Sequence, residues 1–138
     1  MIANSDQVVE YSQQNFNVIR NWTDANIIFT FWASHPKWSF VRTDQYAGNV
    51  VEVAEKRPIS NIATCGIYYY RHGKDFVRCA KKMIKKNIRV NNEFYIAPVY
   101  NEILAEDQVI VPFFVHKMHG LGTPEDLEKF LRNPYVIS

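Results

Sequence analysis

Six consecutive residues, Ile27-Ile28-Phe29-Thr30-Phe31-Trp32, carry β-branched or aromatic side chains with no polar alternation between them. Successive side chains of a strand point to opposite faces, so a run without a polar phase reads as a strand covered on both sides. A sheet with one wet face is thereby excluded at this position. The pattern predicts a parallel or mixed sheet with helices packed on it.

The rest of the chain fills in that architecture. Residues 62–70 are strand-like around Gly66, and residues 109–115 form the last clear strand, where Pro112 argues for a sheet edge or a bulge. Residues 38–43 alternate, a turn containing Gly48 follows, and Val50-Val51-Glu52-Val53 completes a hairpin. Residues 74–86 place Phe76, Val77, Ala80, Met83 and Ile84 on one helical face, with Arg78, Lys81, Lys82, Lys85 and Lys86 on the other. Residues 11–21 predict a short helix that buries Phe16, Ile19 and Val18, and Pro98 suits the opening of another that runs to about residue 105. Thr123-Pro124-Glu125-Asp126 combines an N-cap residue, a proline at the first helical position and two acids beside the positive end of the dipole. The expectation is one α/β domain over residues 1–138, a mixed β-sheet of five or six strands flanked by helices, its first strand lying just before Asp6.

Composition narrows the function more by exclusion than by pointing. At 138 residues and 47% hydrophobic, the chain has enough apolar side chains for its own core, and disorder, collagen and coiled coil are excluded. Its 16 Lys+Arg against 14 Asp+Glu leave a net charge of +2, which selects no partner. The basic stripe on residues 78–89 reads as a solvated helix face, and nucleic acid is not expected. Two cysteines, Cys65 and Cys79, fit buried thiols in a reducing compartment, and the expected location is cytoplasmic. No apolar run approaches the ~20 residues of a membrane span.

Candidate chemistry is sparse. Asp6 lies at a strand end, where a carboxylate can reach a metal, although spacing alone favours a turn or helix cap. Glu55-Lys56-Arg57-Pro58 sets a carboxylate that can accept from hydroxyls beside cations that can hold phosphate, although local sequence favours a charged strand end turned by proline. His35, His72, His116 and His119 lack a cysteine partner, so zinc is not expected. No nucleophile elbow, Walker loop or dinucleotide-binding glycine motif occurs.

Five segments in order carry a resemblance. They are Asn4-Ser5-Asp6; Trp38-Ser39-Phe40-Val41 with the stretch that ends Ala54-Glu55-Lys56-Arg57-Pro58; Ala63-Thr64-Cys65-Gly66-Ile67-Tyr68; Asn92-Glu93-Phe94-Tyr95-Ile96-Ala97-Pro98; and Gly120-Leu121-Gly122-Thr123-Pro124-Glu125-Asp126. Together they resemble the C-terminal portion of the sugar-1-phosphate nucleotidylyltransferases, which include glucose-1-phosphate thymidylyltransferase. The resemblance implies the later part of a nucleotide-diphospho-sugar transferase (Rossmann-like) fold. It implies that Asp6 binds Mg2+, that Glu55 and Lys56 contact the sugar and its phosphate with Lys56 catalytic, and that Thr64, Cys65 and Gly66 line the sugar pocket. The implied reaction joins a sugar-1-phosphate to a nucleoside triphosphate with release of pyrophosphate, chemistry that relies on positioning and cations more than on a protein nucleophile.

Two departures shape the expectation. The family's glycine-rich signature, with its triphosphate-binding arginine and lysine, stands ahead of the metal aspartate, and here only five residues precede Asp6. Where thymidylyltransferases carry a second metal aspartate before the Gly-Thr pair, this sequence has Gly120-Leu121-Gly122-Thr123. The expectation is a partial or split nucleotidyltransferase, inactive alone, whose N-terminal half resides on another chain or is lost. The alternative is a non-catalytic sugar-phosphate-binding or self-assembling module. In either case exposed sheet edges favour a homo-oligomer.

Overall fold

The computed structural model describes residues 1–133. In chain order its elements are β1 (Ile2–Ala3), β2 (Gln7–Glu10), α1 (Gln13–Trp22), β3 (Asn26–Trp32), β4 (Ser39–Thr43), β5 (Val50–Glu55), β6 (Ile62–Tyr69), α2 (Gly73–Lys85), α3 (Val99–Leu104), β7 (Ile110–Phe114), β8 (Lys117–Gly120) and α4 (Pro124–Leu131). The main sheet runs β5-β4-β6-β3-β7, with β1 added on β6, and β2 pairs with β8 in a separate ladder. Among the described residues only β3 and β7 are parallel; the other pairs are antiparallel. The mixed α/β fold is the one the apolar run predicts.

β3 explains why. Ile27 and Phe29 pack with Phe16 of α1, Cys65, Ile67 and Phe113 on one face, while Ile28 packs with Val41, Cys79, Met83, Tyr100 and Ile103 on the other. All three β3 residues are fully buried. Residues of alternating phase enter two separate cores, and the strand has no polar phase because neither face meets water.

Local signals set most boundaries. Ser12 caps α1 by accepting from the Asn15 N–H at 3.1 Å, and Thr123 caps α4 by accepting from Asp126 at 3.1 Å, with Pro124 in the first turn. β7 is an edge strand, and Pro112 is tolerated there because an edge needs no second ladder donor.

The expected buried faces of two helices are corrected, and the basic stripe is refined. On α2 the inward face is Phe76, Cys79, Ala80 and Met83; Val77 and Ile84, 49% and 51% exposed, face out, as does Val18 on α1. The true stripe repeats at three and four residues from Phe76 through Cys79, a position whose small thiol is easily passed over. The basic stripe is not merely solvated: Arg78 and Lys82 pair with Glu106, and Lys86 holds the buried Glu102 at 2.8 Å, so the stripe joins α2 to the acids of α3 and its C-terminal flank. Finally, the β2–β8 ladder was not legible, because four-residue strands carry too little pattern.

β6 is the strand that makes room for a site. Its residue Tyr68 pairs with Ile28 of β3 on one edge and with Ile2 of β1 on the other. On that second edge β4 takes Ala63 and β1 takes Ile67 and Tyr68, so Thr64, Cys65 and Gly66 face a gap between two strand ends. The sheet is interrupted there, and a cavity fills the interruption.

Candidate functional site

A cavity of about 540 Å3 opens at this gap. The expected site residues Asp6, Glu55, Lys56, Thr64, Cys65 and Gly66 all lie on its wall, brought from three separate stretches of chain. Each is placed by a local device.

Gly66 sits at φ +74°, opposite a register shift between Ile28 and Thr30 of β3. A glycine in the left-handed region makes this irregularity cheap. A Cβ at this position would come within 2.5 Å of Gln7 Oε1 and 2.7 Å of Asn4 Nδ2, so two amides occupy the space that a side chain would take. The Gly66 carbonyl accepts from the Asn4 N–H at 2.9 Å, which ties the first residues of the chain to the pocket floor.

Glu55 ends β5 opposite Ser39, whose hydroxyl donates to the Glu55 carboxylate at 2.5 Å. Burial raises the Glu55 carboxyl above its ordinary value, while the Ser39 hydrogen bond and the neighbouring Lys56 pull it back. Lys56 adopts φ 52°, and its N–H donates to the Trp38 carbonyl at 3.0 Å. That turn carries the ammonium to the Tyr95 hydroxyl at 2.7 Å, and the contact holds the lysine above its ordinary value. Arg57 takes no part: it pairs with Glu52 at 3.2 Å on the outside of the hairpin. Of the cations in the Glu55-Lys56-Arg57 motif, only Lys56 reaches the cavity.

Cys65 is fully buried, and burial pushes its thiol up to about 12, so it presents a neutral wall and not a nucleophile. Asp6 lies between β1 and β2, its carbonyl accepting from the Leu121 N–H at 2.7 Å and its carboxylate 3.0 Å from the Cβ position of Gly122. The expected first strand is real but short: β1 has two residues, antiparallel to β6.

Sequence reading missed several wall residues. Ser39 and Trp38 stand in one of the five segments but receive no role from the resemblance, although the Ser39 register with Glu55 follows from the hairpin. Tyr95 reaches the cavity because Asn91 and Asn92 adopt φ 48° and 63° between Val90 and Glu93, the backbone of a tight primed turn. The Asn91-Asn92 pair was the available signal. Lys37 and Asp126 left none, because only tertiary structure brings them together at 3.4 Å.

Mg2+ fits this wall in a limited way. Among the described residues no three His, Cys, Asp or Glu side chains converge on one point. Mg2+ bound with phosphates often takes one or two carboxylates and fills its remaining positions with water and phosphate oxygens, and the exposed Asp6 meets that requirement. Such an ion would neutralise phosphate charge. The chain's own groups offer ammonium ions, carboxylates and hydroxyls in fixed positions, chemistry suited to binding and orienting a polar phosphate ligand.

Fold and cavity together define a nucleotide-diphospho-sugar transferase fold with its pocket at a break in the sheet. No family model and no curated sequence matches the chain. Among solved structures it is similar to a nucleoside-diphosphate-sugar pyrophosphorylase from Vibrio cholerae RC9, with 25% identity and a TM-score of 0.79 over 95% of this chain and 55% of that one. It is similar in fold to a UDP-glucose pyrophosphorylase complexed with UDP-glucose, at 14% identity and TM-score 0.69, covering 93% of this chain and 54% of the other. A UTP-bound UGPase from Acinetobacter baumannii, at 13% identity and TM-score 0.69, is covered over 51% of its length by 96% of this chain. The chain thus spans about half the length of the structures it matches, and the resemblance to a portion of the sugar-1-phosphate nucleotidyltransferases holds. No helix among the described residues is long and apolar enough to cross a membrane.

Proposed function

We propose that this chain carries the sugar-phosphate side of a nucleotidyl-transfer site, in which a sugar-1-phosphate oxygen attacks the α-phosphate of a nucleoside triphosphate and pyrophosphate leaves. The observation that supports it best is the convergence of Glu55, Lys56, Thr64, Gly66 and Asp6 on one cavity within a fold shared with nucleotide-sugar pyrophosphorylases. In this reading the Glu55 carboxylate accepts from sugar hydroxyls, and the Lys56 ammonium, aimed by Tyr95, holds the phosphate. Asp6 holds the Mg2+ that would offset phosphate charge. The attacking oxygen belongs to the substrate, which agrees with a pocket whose thiol is neutral and whose Ser39 hydroxyl is turned to Glu55.

The described residues bring two lysines to the cavity and no glycine-rich phosphate cradle. Binding without turnover is therefore expected of these 138 residues by themselves. Titration calorimetry with glucose-1-phosphate and Mg2+ should show saturable binding that Lys56→Ala and Glu55→Gln each weaken by tenfold or more, about 1.4 kcal/mol or above. A pyrophosphate-release assay with glucose-1-phosphate and a nucleoside triphosphate should stay at background. Absence of sugar-phosphate binding would overturn the reading, and clear turnover would overturn its partial character.

A further inference from the structure

The cavity has two ammonium groups, and Lys37 is the one to which the reading above gives no role. Its Nζ lies 3.4 Å from Asp126 Oδ2 and 4.6 Å from the centroid of the Trp38 ring, held between a carboxylate and an aromatic face. The Lys56 N–H donates to the Trp38 carbonyl, so both lysines stand at the same end of the β4–β5 hairpin, on either side of one tryptophan.

The loop opposite, Gly120-Leu121-Gly122-Thr123, offers no carboxylate. A Cβ on Gly120 would lie 3.2 Å from Trp38 Cη2, and a Cβ on Gly122 would lie 3.0 Å from Asp6 Oδ2. The Trp38 ring thus crowds Gly120, in the segment where a second metal-binding carboxylate is expected by resemblance. The nearest remaining carboxylate, Asp126, is already engaged with Lys37, and its backbone N–H with Thr123. Formal charges give the same answer: Asp6, Glu55 and Asp126 against Lys37 and Lys56 leave one negative charge on the wall. One divalent ion at Asp6 turns that into a single positive charge, suitable for a phosphate, while a second would need Asp126 to release Lys37.

We propose that Lys37 is the second cationic pole of this cavity, so that ligand phosphate is held by Lys37, Lys56 and one ion at Asp6. The proposal rests on the reading of the cavity as a phosphate-ligand site. Asp126 is then a positioning residue that fixes the lysine, and Lys37 acts as a point charge on a flexible stem rather than as a bidentate fork.

Equilibrium dialysis of the purified chain with Mn2+ as the metal probe, and with inorganic pyrophosphate or glucose-1-phosphate as the anion probe, tests it. The expected result is one bound Mn2+ per chain, and a dissociation constant for pyrophosphate that rises about tenfold or more in Lys37→Met and stays within about threefold in Lys37→Arg. Because the Lys37 side chain is 41% exposed, neither variant removes core packing, and near-ultraviolet dichroism of Trp38 checks the fold. Two bound Mn2+ per wild-type chain, or an unchanged pyrophosphate constant in Lys37→Met, overturns the proposal. If pyrophosphate binds in a Lys37-dependent way while glucose-1-phosphate does not bind, the sugar reading fails and the Lys37 assignment stands. If both anions bind and neither responds to Lys37→Met, the assignment fails and the sugar reading stands. If neither binds, both fail.

Discussion

Single residues set the chemistry of the cavity by what surrounds them. Glu55 is a carboxylate whose burial raises its folded value above the ordinary 4.5, with Ser39 and Lys56 opposing. The folded state then binds more protons than the unfolded one in the window just above 4.5, so this residue makes stability fall as pH rises through that window. Glu55→Gln removes the ionisation and keeps an acceptor for Ser39. Urea unfolding across pH 4 to 8 should find the variant gaining stability relative to wild type as pH rises, with the difference vanishing below 4.5. A constant difference would show that the carboxylate is not strained by burial. Gly66→Ala tests the opposite wall: the methyl group would need φ +74° and would displace the Gln7 and Asn4 amides. A loss of about 1–2 kcal/mol in urea is expected, most of it from the backbone because the amides are flexible.

At the scale of elements, helix α3 acts as a clasp for the hairpin that carries the site. Asn101 accepts from the Val53 N–H at 2.9 Å and donates to the Val53 carbonyl at 2.7 Å, imitating the pairing that another strand would give to edge strand β5. Asn101→Ala leaves both backbone groups without a partner, and a loss of about 2–3 kcal/mol is expected in chemical denaturation. Because β5 ends in Glu55, the same variant should also weaken ligand binding from a distance. The pairing of Lys86 with Glu102 and of Arg78 and Lys82 with Glu106 fixes α3 in turn, so the basic face of α2 serves the site indirectly.

For the whole molecule, the cavity exists because a sheet is interrupted. Thr64, Cys65 and Gly66 lie between the reach of β1 and that of β4, and the walls come from Asn4 at one end of the chain to Asp126 near the other. A ligand seated there links the N-terminal segment, the hairpin and the cap of α4, so it should protect the entire fold. With glucose-1-phosphate and Mg2+ at about a hundredfold excess over the dissociation constant, stabilisation of roughly 2.7 kcal/mol is expected. Thermal unfolding should then shift upward by about 8 °C, while glucose alone should give little. An equal shift with glucose would show that the phosphate is not held.

The sequence by itself determined the class of fold and the chemical character of half the wall. The apolar run of β3 demanded two covered faces, the Thr123-Pro124 start demanded a helix, and the order of five segments singled out Glu55 and Lys56 by resemblance where their local sequence reads as a charged strand end. The first two are local patterns, and local geometry reads them. Only the tertiary structure decided that Arg57 turns away to Glu52, that Val77 and Ile84 face outward, and that Lys37 meets Asp126 across 89 positions of the chain. The reason is physical. A pair so far apart is brought together by the packing of the β4 hairpin against the β8–α4 turn, and one chain's residue order carries no periodic trace of a contact that two elements make only once each has folded.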